Sequence, residues 1–231
     1  MGYPDNPNTI VIKNKYYPRG LTELQIWKHY NKYKNDIISF INGRPVILFV
    51  FIDINKWIVR RKKENNFFTL NKNNFDFIIN GRTVSISVEQ LRNIDYFCID
   101  IDAGQNVNEK YKKLCVQDIV GYLSTNSIVN DIRVFCSAKS YHIHGILKQR
   151  MNIDTVRSVL STEMSLLFAD KFLINERNSL GDDNINIDLS PIYYRGSHPV
   201  PFSLSKNGLV YMDITKIWKI FDRRKAIITN V

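Results

Sequence analysis

The spacing of apolar residues along the chain predicts a long first helix. Residues 22–25 (Thr-Glu-Leu-Gln) form a capping-box pattern, in which the side chains at the two ends of the first turn cap each other's backbone N–H groups. Large apolar residues then recur at helical spacing, at Ile26, Tyr30, Tyr33, Ile37 and Ile41. This periodicity is typical of an amphipathic helix that buries one face.

Shorter apolar runs predict strands between further helices. The strands are expected at residues 45–52, 56–61, 95–102, 132–137, 141–147, 184–188 and 208–212. The helices are expected at 108–124, 153–170 and 213–222, with a short helix capped by residues 87–90. This order indicates an α/β (α+β) fold with mixed sheets flanked by helices. A chain of 231 residues can bury a core as one domain or as two small lobes. We expect residues 1–231 to form a single domain with loose ends at 1–8 and 226–231.

Two aspartates lie at the end of the strand predicted at 95–102. Asp100 and Asp102 stand two residues apart, before Gly104, and residues i and i+2 of a strand share a face. Two carboxylates about 4 Å apart repel by roughly 4 kcal/mol at an effective dielectric constant near 20, so the ionised pair needs a cation. Oxygen ligands favour Mg²⁺ or Mn²⁺. The alternative interpretation is a solvated strand end with two surface aspartates.

A polar segment follows, between two further predicted strands. It contains Ser137 and Lys139, and His142 and His144 then share one face of the next strand. Lysine supplies a positive charge, and serine and imidazole supply hydrogen-bond donors, so Ser137, Lys139 and His142 suit a polyanion. As alternatives, His142 is a core residue and His144 a zinc ligand. Zinc is the weaker alternative because the three cysteines form no Cys-x-x-Cys pair.

A third carboxylate, Asp188, ends the alternating run at 184–188. A basic, glycine-containing loop with Arg195 and Lys206 comes after it. Alone, Asp188 indicates little. On a strand beside the Asp100 strand, it would complete a metal site of three carboxylates.

Together these segments resemble the archaeo-eukaryotic primase superfamily, and most closely the polymerase domain of bacterial ligase D. Residues 100–104 resemble the family's Asp-Leu-Asp-Pro-Gly strand end, and residues 137–142 resemble its Ser/Gly-rich segment with lysine and then histidine. The match extends from Asp188 through Arg195-Gly196 to residues 201–204. It also includes N-terminal segments, at Tyr17-Pro18, Leu21-Thr22, His29-Tyr30 and residues 43–46. The similarity spans residues 9–222 and is weakest between Phe49 and Asn93.

The resemblance implies a metal-dependent nucleotidyltransferase, a DNA primase/polymerase that extends or initiates strands on a DNA template and primer. It implies two ions, Mg²⁺ or Mn²⁺, held by Asp100 and Asp102, with Asp188 holding the ion nearer the 3′-hydroxyl. A helicase, a ligase or another replication or repair protein is an expected partner.

The resemblance also implies a triphosphate site formed by Ser137, Lys139 and His142, with Lys206 and Arg195 assisting. The substrates would be NTPs or dNTPs. No motif displays a contact to the sugar 2′-hydroxyl, so the choice between them stays open. Priming and gap filling are likewise not distinguished by the residues.

The chain departs from the ligase-associated enzymes where those grip the 5′ phosphate of a DNA break. The family's lysines near the first helix are replaced here by Asn14 and Glu23. Lys13, Lys15 and Arg19 flank these positions and are candidate substitutes. End-joining specificity is therefore less well supported than nucleotidyl transfer.

The charge balance favours an anionic partner. The formal net charge is +10, and a basic run that includes Arg60 and Arg61 offers phosphate contacts, although a solvated face has the same composition. No apolar stretch reaches the length of a membrane span, and we expect no membrane partner. Three cysteines without a pairing pattern suit a reducing, intracellular location, cytoplasmic or nucleoid-associated.

Two other functions stay open on the sequence. One is a catalytically idle nucleic-acid-binding module with the same fold, and the other is a metal-dependent nuclease that uses the same aspartates. A nuclease needs no triphosphate site, so the set Ser137, Lys139 and His142 argues against it. The presence of all three aspartates argues against an idle module.

Overall fold

The computed structural model describes residues 3–60, 68–137, 139–175, 180–222 and 225–228. Within these ranges, three sheets and four helices form a mixed α/β fold, which confirms the predicted fold class. The helices are α1 (Glu23–Ile41), α2 (Phe75–Ile78), α3 (Glu109–Thr125) and α4 (Ile153–Phe168). The strands are β1 (Ile10–Asn14), β2 (Tyr17–Thr22), β3 (Pro45–Asp53), β4 (Lys56–Arg60), β5 (Phe68–Thr69), β6 (Thr83–Glu89), β7 (Asn93–Ala103), β8 (Val129–Cys136), β9 (Tyr141–Asn152), β10 (Leu173–Ile174), β11 (Ile185–Asp188), β12 (Ser197–Pro199) and β13 (Met212–Asp213).

Backbone contacts divide the chain into two compact units. The described residues of the first unit fall within 1–89, 197–212 and 223–231, and those of the second within 90–196 and 213–222. The expectation of a single domain with loose ends stays a prediction.

The first unit contains the β1–β2 hairpin, α1 and a five-stranded sheet. The sheet has the order β12-β6-β3-β4, and β5 also pairs with β3. The capping box predicted for α1 is confirmed, because Thr22 accepts from the Gln25 N–H and the Gln25 side chain accepts from the Thr22 N–H. The helix ends at Ile41 and is capped by Asn42, which adopts the left-handed conformation that asparagine tolerates better than most residues.

Two segments of the family resemblance contact each other inside this unit. The His29 ring nitrogen Nε2 lies 2.7 Å from the Phe202 carbonyl oxygen, and the Tyr30 hydroxyl accepts from the Leu204 N–H at 3.2 Å. Phe202 has a left-handed backbone (φ 61°), which is strained for a bulky residue. His29-Tyr30 and residues 201–204 therefore have a structural role here, since each supports the conformation of the other.

The second unit is built on a six-stranded sheet of order β10-β11-β7-β9-β8-β13. Its central strand β7 is antiparallel to both β9 and β11, and α3 contacts β8 and β9. The Phe97 ring lies over Gly145 of β9, where a Cβ atom would come within 2.2 Å of it. A glycine at this position therefore allows the aromatic ring to fill the core beside the central strands.

Two predicted helices are wrong. Residues 87–90 do not cap a helix, because Ile86 and Val88 are buried in β6, which pairs with β3; tertiary pairing outweighs the local capping pattern. In place of the helix predicted at 213–222, Asp213 belongs to β13 and residues 215–220 form turns. The Ile214 N–H donates to the Val134 carbonyl and the Thr215 hydroxyl accepts from the Val134 N–H, which holds this segment against β8. The strand predicted at 208–212 is reduced to isolated bridges at Leu209 and Val210 and the short β13.

The structure also bears on two compositional expectations. Among the described residues, none of the helices has both the length and the apolar character needed to cross a membrane. All three cysteines, Cys98, Cys115 and Cys136, are buried.

Candidate active site

Three carboxylates converge where β11 pairs with the last residues of β7. Asp188 pairs with Asp100 and Asn186 pairs with Asp102 across this antiparallel ladder, so all four side chains belong to one face of the sheet. One oxygen from each of Asp100, Asp102 and Asp188 lies within 4.8 Å of the other two. The structure thus brings together the three aspartates that the sequence singled out.

The glycine that follows the aspartate pair allows this arrangement. A Cβ atom at Gly104 would lie 2.2 Å from the Asp182 carbonyl oxygen and 2.3 Å from that of Gly181. The Gly104 N–H donates to the Asn184 carbonyl at 2.9 Å. Gly104 therefore lets the loop before β11 approach the end of β7, which sets Asp188 beside Asp100.

The three carboxylates form a region of concentrated negative charge. Asp188 is 4% exposed, and the Asp100 side chain is 24% exposed. Beneath them, burial and then the charges of Asp100 and Asp188 raise the pKa of the Cys98 thiol well above its usual range. Hard oxygen donors at this spacing suit a divalent cation. Within the described ranges this is the only cluster of three or more metal-ligating side chains, and His144 is not part of it.

His142 lies next to this cluster and is buried. It pairs with Asp100 across β7 and β9, with its Nδ1 3.4 Å from the Asp100 carboxylate and its Nε2 3.0 Å from the Ser140 hydroxyl. Burial lowers the pKa of His142 to about 4, and the charge of Asp102 opposes this shift only in part. The ring is therefore neutral at pH 7. His142 is both buried and in contact with the carboxylate cluster. The two interpretations of this residue, as a core residue and as a site residue, are therefore compatible.

Ser137 shapes the turn between β8 and β9. Its N–H donates to the Ser140 carbonyl at 3.0 Å, and its hydroxyl accepts from the N–H groups of Lys139 and Ser140 at 3.2 and 3.3 Å. The Lys139 side chain is exposed. The sequence patterns did not indicate a role for Ser140. The Ser140 hydroxyl contacts the His142 ring because of the conformation of the turn. Periodicity in the sequence does not predict that conformation.

Arg195 lies in the connection between β11 and β12. It has a left-handed backbone (φ 62°), and its N–H donates to the Gln90 carbonyl at 2.9 Å. The preceding Tyr194 ring lies under the Arg92 guanidinium, 4.7 Å from the ring centroid. Backbone strain of this kind persists where surrounding contacts enforce it, and it often accompanies functional sites.

The remaining predicted residues belong to the first unit. Lys206 is exposed, with its ammonium 4.8 Å from the centroid of the Phe49 ring and 5.3 Å from that of Trp57. The predicted nucleic-acid contacts Lys13, Lys15, Arg19 and Arg60 are exposed. Arg61 lies outside the described residues.

The two positions that depart from the ligase-associated pattern have structural roles. The Asn14 side-chain oxygen accepts from the N–H groups of Tyr16 and Tyr17 at 2.9 and 3.2 Å. Glu23 is buried and pairs with Arg82 at 2.8 Å. Neither side chain lies in surroundings that are typical of a phosphate ligand.

A cavity lies elsewhere in the second unit. It has a volume of about 740 Å³ and lies along α3, with walls that include Glu109, Leu114 and Trp218. None of the predicted site residues lines it. The carboxylate cluster lies outside this cavity and is recognised by its chemistry and geometry.

Comparison with known proteins supports the fold. No family model matches the chain, and no curated protein is significantly similar to it in sequence. Among solved structures, the polymerase domain of Mycobacterium tuberculosis ligase D in complex with DNA matches with a TM-score of 0.75 and 12% identity, over 95% of this chain and 87% of that one. The predicted resemblance to this primase-polymerase domain is thereby confirmed at the level of the fold.

Proposed function

We propose that this chain is a metal-dependent nucleotidyltransferase, a DNA primase/polymerase that initiates or extends strands on a DNA template. The observation that supports the proposal best is the convergence of Asp100, Asp102 and Asp188 within 4.8 Å, in a fold that matches a polymerase domain with a TM-score of 0.75. Carboxylates on neighbouring strands are a common means of holding two ions for nucleotidyl transfer.

The donor set fits Mg²⁺ or Mn²⁺. All three ligands are carboxylates, which hard divalent cations prefer, and their mutual repulsion is relieved by a bound cation. Asp100 and Asp102 would hold both ions, and Asp188 would hold the ion nearer the primer 3′-hydroxyl. When bound, the ions would lower the pKa of that hydroxyl and stabilise charge on the attacking and leaving oxygens.

The chain's own groups would bind and orient the triphosphate. Lys139 offers an exposed ammonium, and Ser137 and Ser140 offer hydroxyl donors on the same turn. His142 would present a neutral ring, which can donate a hydrogen bond without adding positive charge. Arg195 and Lys206 are proposed to assist, as cations that bind phosphate oxygens.

The basic character of the chain supports DNA as the template and primer. The net charge is +10, and the DNA-bound state of the matching polymerase domain suggests the same kind of ligand. Lys13, Lys15, Arg19, Arg60 and Arg61 are proposed to contact the phosphate backbone, which gives affinity without sequence preference. NTPs or dNTPs would be the substrates, and a helicase, a ligase or another replication or repair protein would be a partner.

A labelled-strand assay tests the proposal. The wild-type chain is incubated with NTPs or dNTPs and Mg²⁺ or Mn²⁺, on a primer-template and in parallel on a primer-free single strand. We expect longer products, with synthesis on the primer-free strand indicating priming. Shortened strands would instead identify a nuclease. Bound but unchanged strands under every condition would identify an idle binding module.

A further inference from the structure

Asp188 differs from the other two carboxylates in how firmly the protein holds it. It is the last residue of β11 and is 4% exposed, whereas Asp100 and Asp102 are half-buried. A buried carboxylate is costly unless hydrogen bonds compensate for its lost hydration. The neighbours of Asp188 provide such bonds.

Ser190 donates to both oxygens of this carboxylate. Its N–H donates to Oδ1 at 2.7 Å, and its hydroxyl donates to Oδ2 at 2.8 Å. Because the two bonds engage different oxygens, they fix the orientation of the carboxylate as well as its position. Each oxygen keeps a further lone pair, so neither bond prevents metal binding.

Asn175 fixes the backbone on both sides of Asp188. Its N–H donates to the Ile187 carbonyl at 3.0 Å, and its side-chain oxygen accepts from the Leu189 N–H at 2.7 Å. To make both bonds it adopts a left-handed backbone (φ 59°), which asparagine tolerates better than most residues. Leu189 and Ile192 anchor the same turn in the core, since both are 0% exposed.

We propose that Asn175 and Ser190 are positioning residues for the metal site, which hold Asp188 ready to bind a cation. The proposal rests on the proposed function, because it assumes that the carboxylate cluster binds metal. Groups that hydrogen-bond to metal ligands fix the orientation of those ligands, and their loss typically costs 10- to 100-fold in metal affinity or activity. Both side chains are exposed, so their replacement removes hydrogen bonds without opening a cavity in the core.

Binding of Mn²⁺ alone, followed by electron paramagnetic resonance of the free ion, tests this role without relying on activity. For Ser190→Ala we expect Mn²⁺ affinity to fall about 10-fold, within the range known for such groups, and Ser190→Thr should restore most of it because the hydroxyl returns. Asn175→Gly keeps the left-handed backbone but loses the acceptor. Because Asn175 acts through the backbone next to Asp188 and not on its carboxylate, the loss should be smaller than the roughly 10-fold expected for Ser190→Ala.

Two further variants serve as controls. Ser124→Ala is the matched one, because Ser124 is an exposed serine that donates only to the Val120 carbonyl of its own helix; it should leave Mn²⁺ affinity unchanged. Asp188→Ala defines the affinity without the third ligand. Thermal unfolding of each variant shows that it folds, and if Ser190→Ala does not fold, Asn175→Gly decides the result.

The outcomes separate this inference from the proposed function. If Asp188→Ala binds Mn²⁺ as tightly as the wild type, the cluster is not the metal site and both proposals fail. If Asp188→Ala loses affinity while Ser190→Ala and Asn175→Gly match Ser124→Ala, the metal site stands and the positioning role is wrong.

Discussion

Each of the two units contains a buried histidine, and the contrast between them separates a structural residue from a candidate site residue. His29 in the first unit and His142 in the second are both 5% exposed, and burial lowers the pKa of each to about 4. The His29 ring contacts the Phe202 carbonyl and the Tyr33 ring. The His142 ring contacts the Asp100 carboxylate and the Ser140 hydroxyl.

A lowered pKa therefore reports burial and does not by itself identify function. His29 satisfies a carbonyl in the core and supports the strained backbone of Phe202. His142 borders a cluster of three carboxylates that could hold a divalent cation. The chemistry of the neighbours distinguishes the two roles, and the predictions below test that distinction.

The largest expected effect is the loss of nucleotide incorporation in Asp100→Ala or Asp102→Ala. Incorporation should fall by about a thousandfold or more, equivalent to about 4 kcal/mol of barrier, because the ions stabilise charge in the transition state. DNA binding, measured by gel shift, should stay nearly intact. Asp53→Ala, which removes an exposed carboxylate of the first unit, is the control. Incorporation that survives in the Asp100/Asp102 double variant would exclude the metal assignment.

Replacement of the two histidines should separate activity from stability. We expect His142→Ala to lower incorporation per folded molecule about 100-fold, as expected for a group that contacts the reacting phosphates. His29→Ala should leave incorporation per folded molecule unchanged. It should lower the melting temperature by roughly 5 °C, because a buried carbonyl loses its donor. A large fall in melting temperature for His142→Ala, without a specific loss of activity, would identify His142 as a core residue.

A parallel replacement tests the triphosphate turn. Lys139 is exposed, so Lys139→Ala should weaken nucleotide affinity or slow the chemical step about tenfold, as loss of one charge-assisted phosphate contact predicts, with an unchanged melting temperature. Lys148→Ala, at an exposed lysine of β9, is the control. Equal nucleotide affinity in the two variants would remove Lys139 from the site.

Stability should fall as the solution becomes acidic, and His29 should contribute to the change. Its pKa is about 4 in the folded chain and about 6.5 in the unfolded chain, so the unfolded state binds more protons between these values. The contribution of His29 to the free energy of unfolding is fully present above pH 6.5 and is lost as the pH falls towards 4. At pH 5 the loss is about 2 kcal/mol per such histidine. Urea unfolding at pH 7.5 and pH 5 measures the loss. The loss of unfolding free energy between the two pH values should be about 2 kcal/mol smaller in His29→Gln than in the wild type. An equal loss in both proteins would contradict the assignment of this pH dependence to His29.

The smallest expected effect concerns the 5′ phosphate of a gap. Asn14 and Glu23 have structural partners, so we expect gap filling to be at most about threefold faster beside a downstream 5′ phosphate than beside a hydroxyl, a difference below 1 kcal/mol. Rates on the two gapped duplexes measure this preference. A strong preference that disappears in a Lys13→Ala, Lys15→Ala double variant would show that flanking lysines form an end-joining pocket.

The sequence predicted the parts of the site that depend on local pattern. Alternation placed Asp100 and Asp102 on one face, and the strand end at Asp188 followed from the same rule. The positions of Asn175 and Ser190 depend on turn geometry, which periodicity does not report. Residues 87–90 fit a capping box and a strand equally well, and only pairing with β3 decides between them. Local signals therefore identified the candidate metal ligands but not Asn175 and Ser190, whose hydrogen bonds surround Asp188.

Dependence of incorporation on Mn²⁺ concentration, compared between the wild type and Asp188→Asn on one primer-template, is the most direct test of the central claim. Asparagine has nearly the same shape as aspartate but no charge, so the comparison isolates the third carboxylate. We expect the wild type to extend the primer in a saturable, Mn²⁺-dependent manner, and Asp188→Asn to show no more than about a thousandth of that rate at any concentration. Equal rates for the two proteins would contradict the assignment of Asp100, Asp102 and Asp188 as the catalytic metal site.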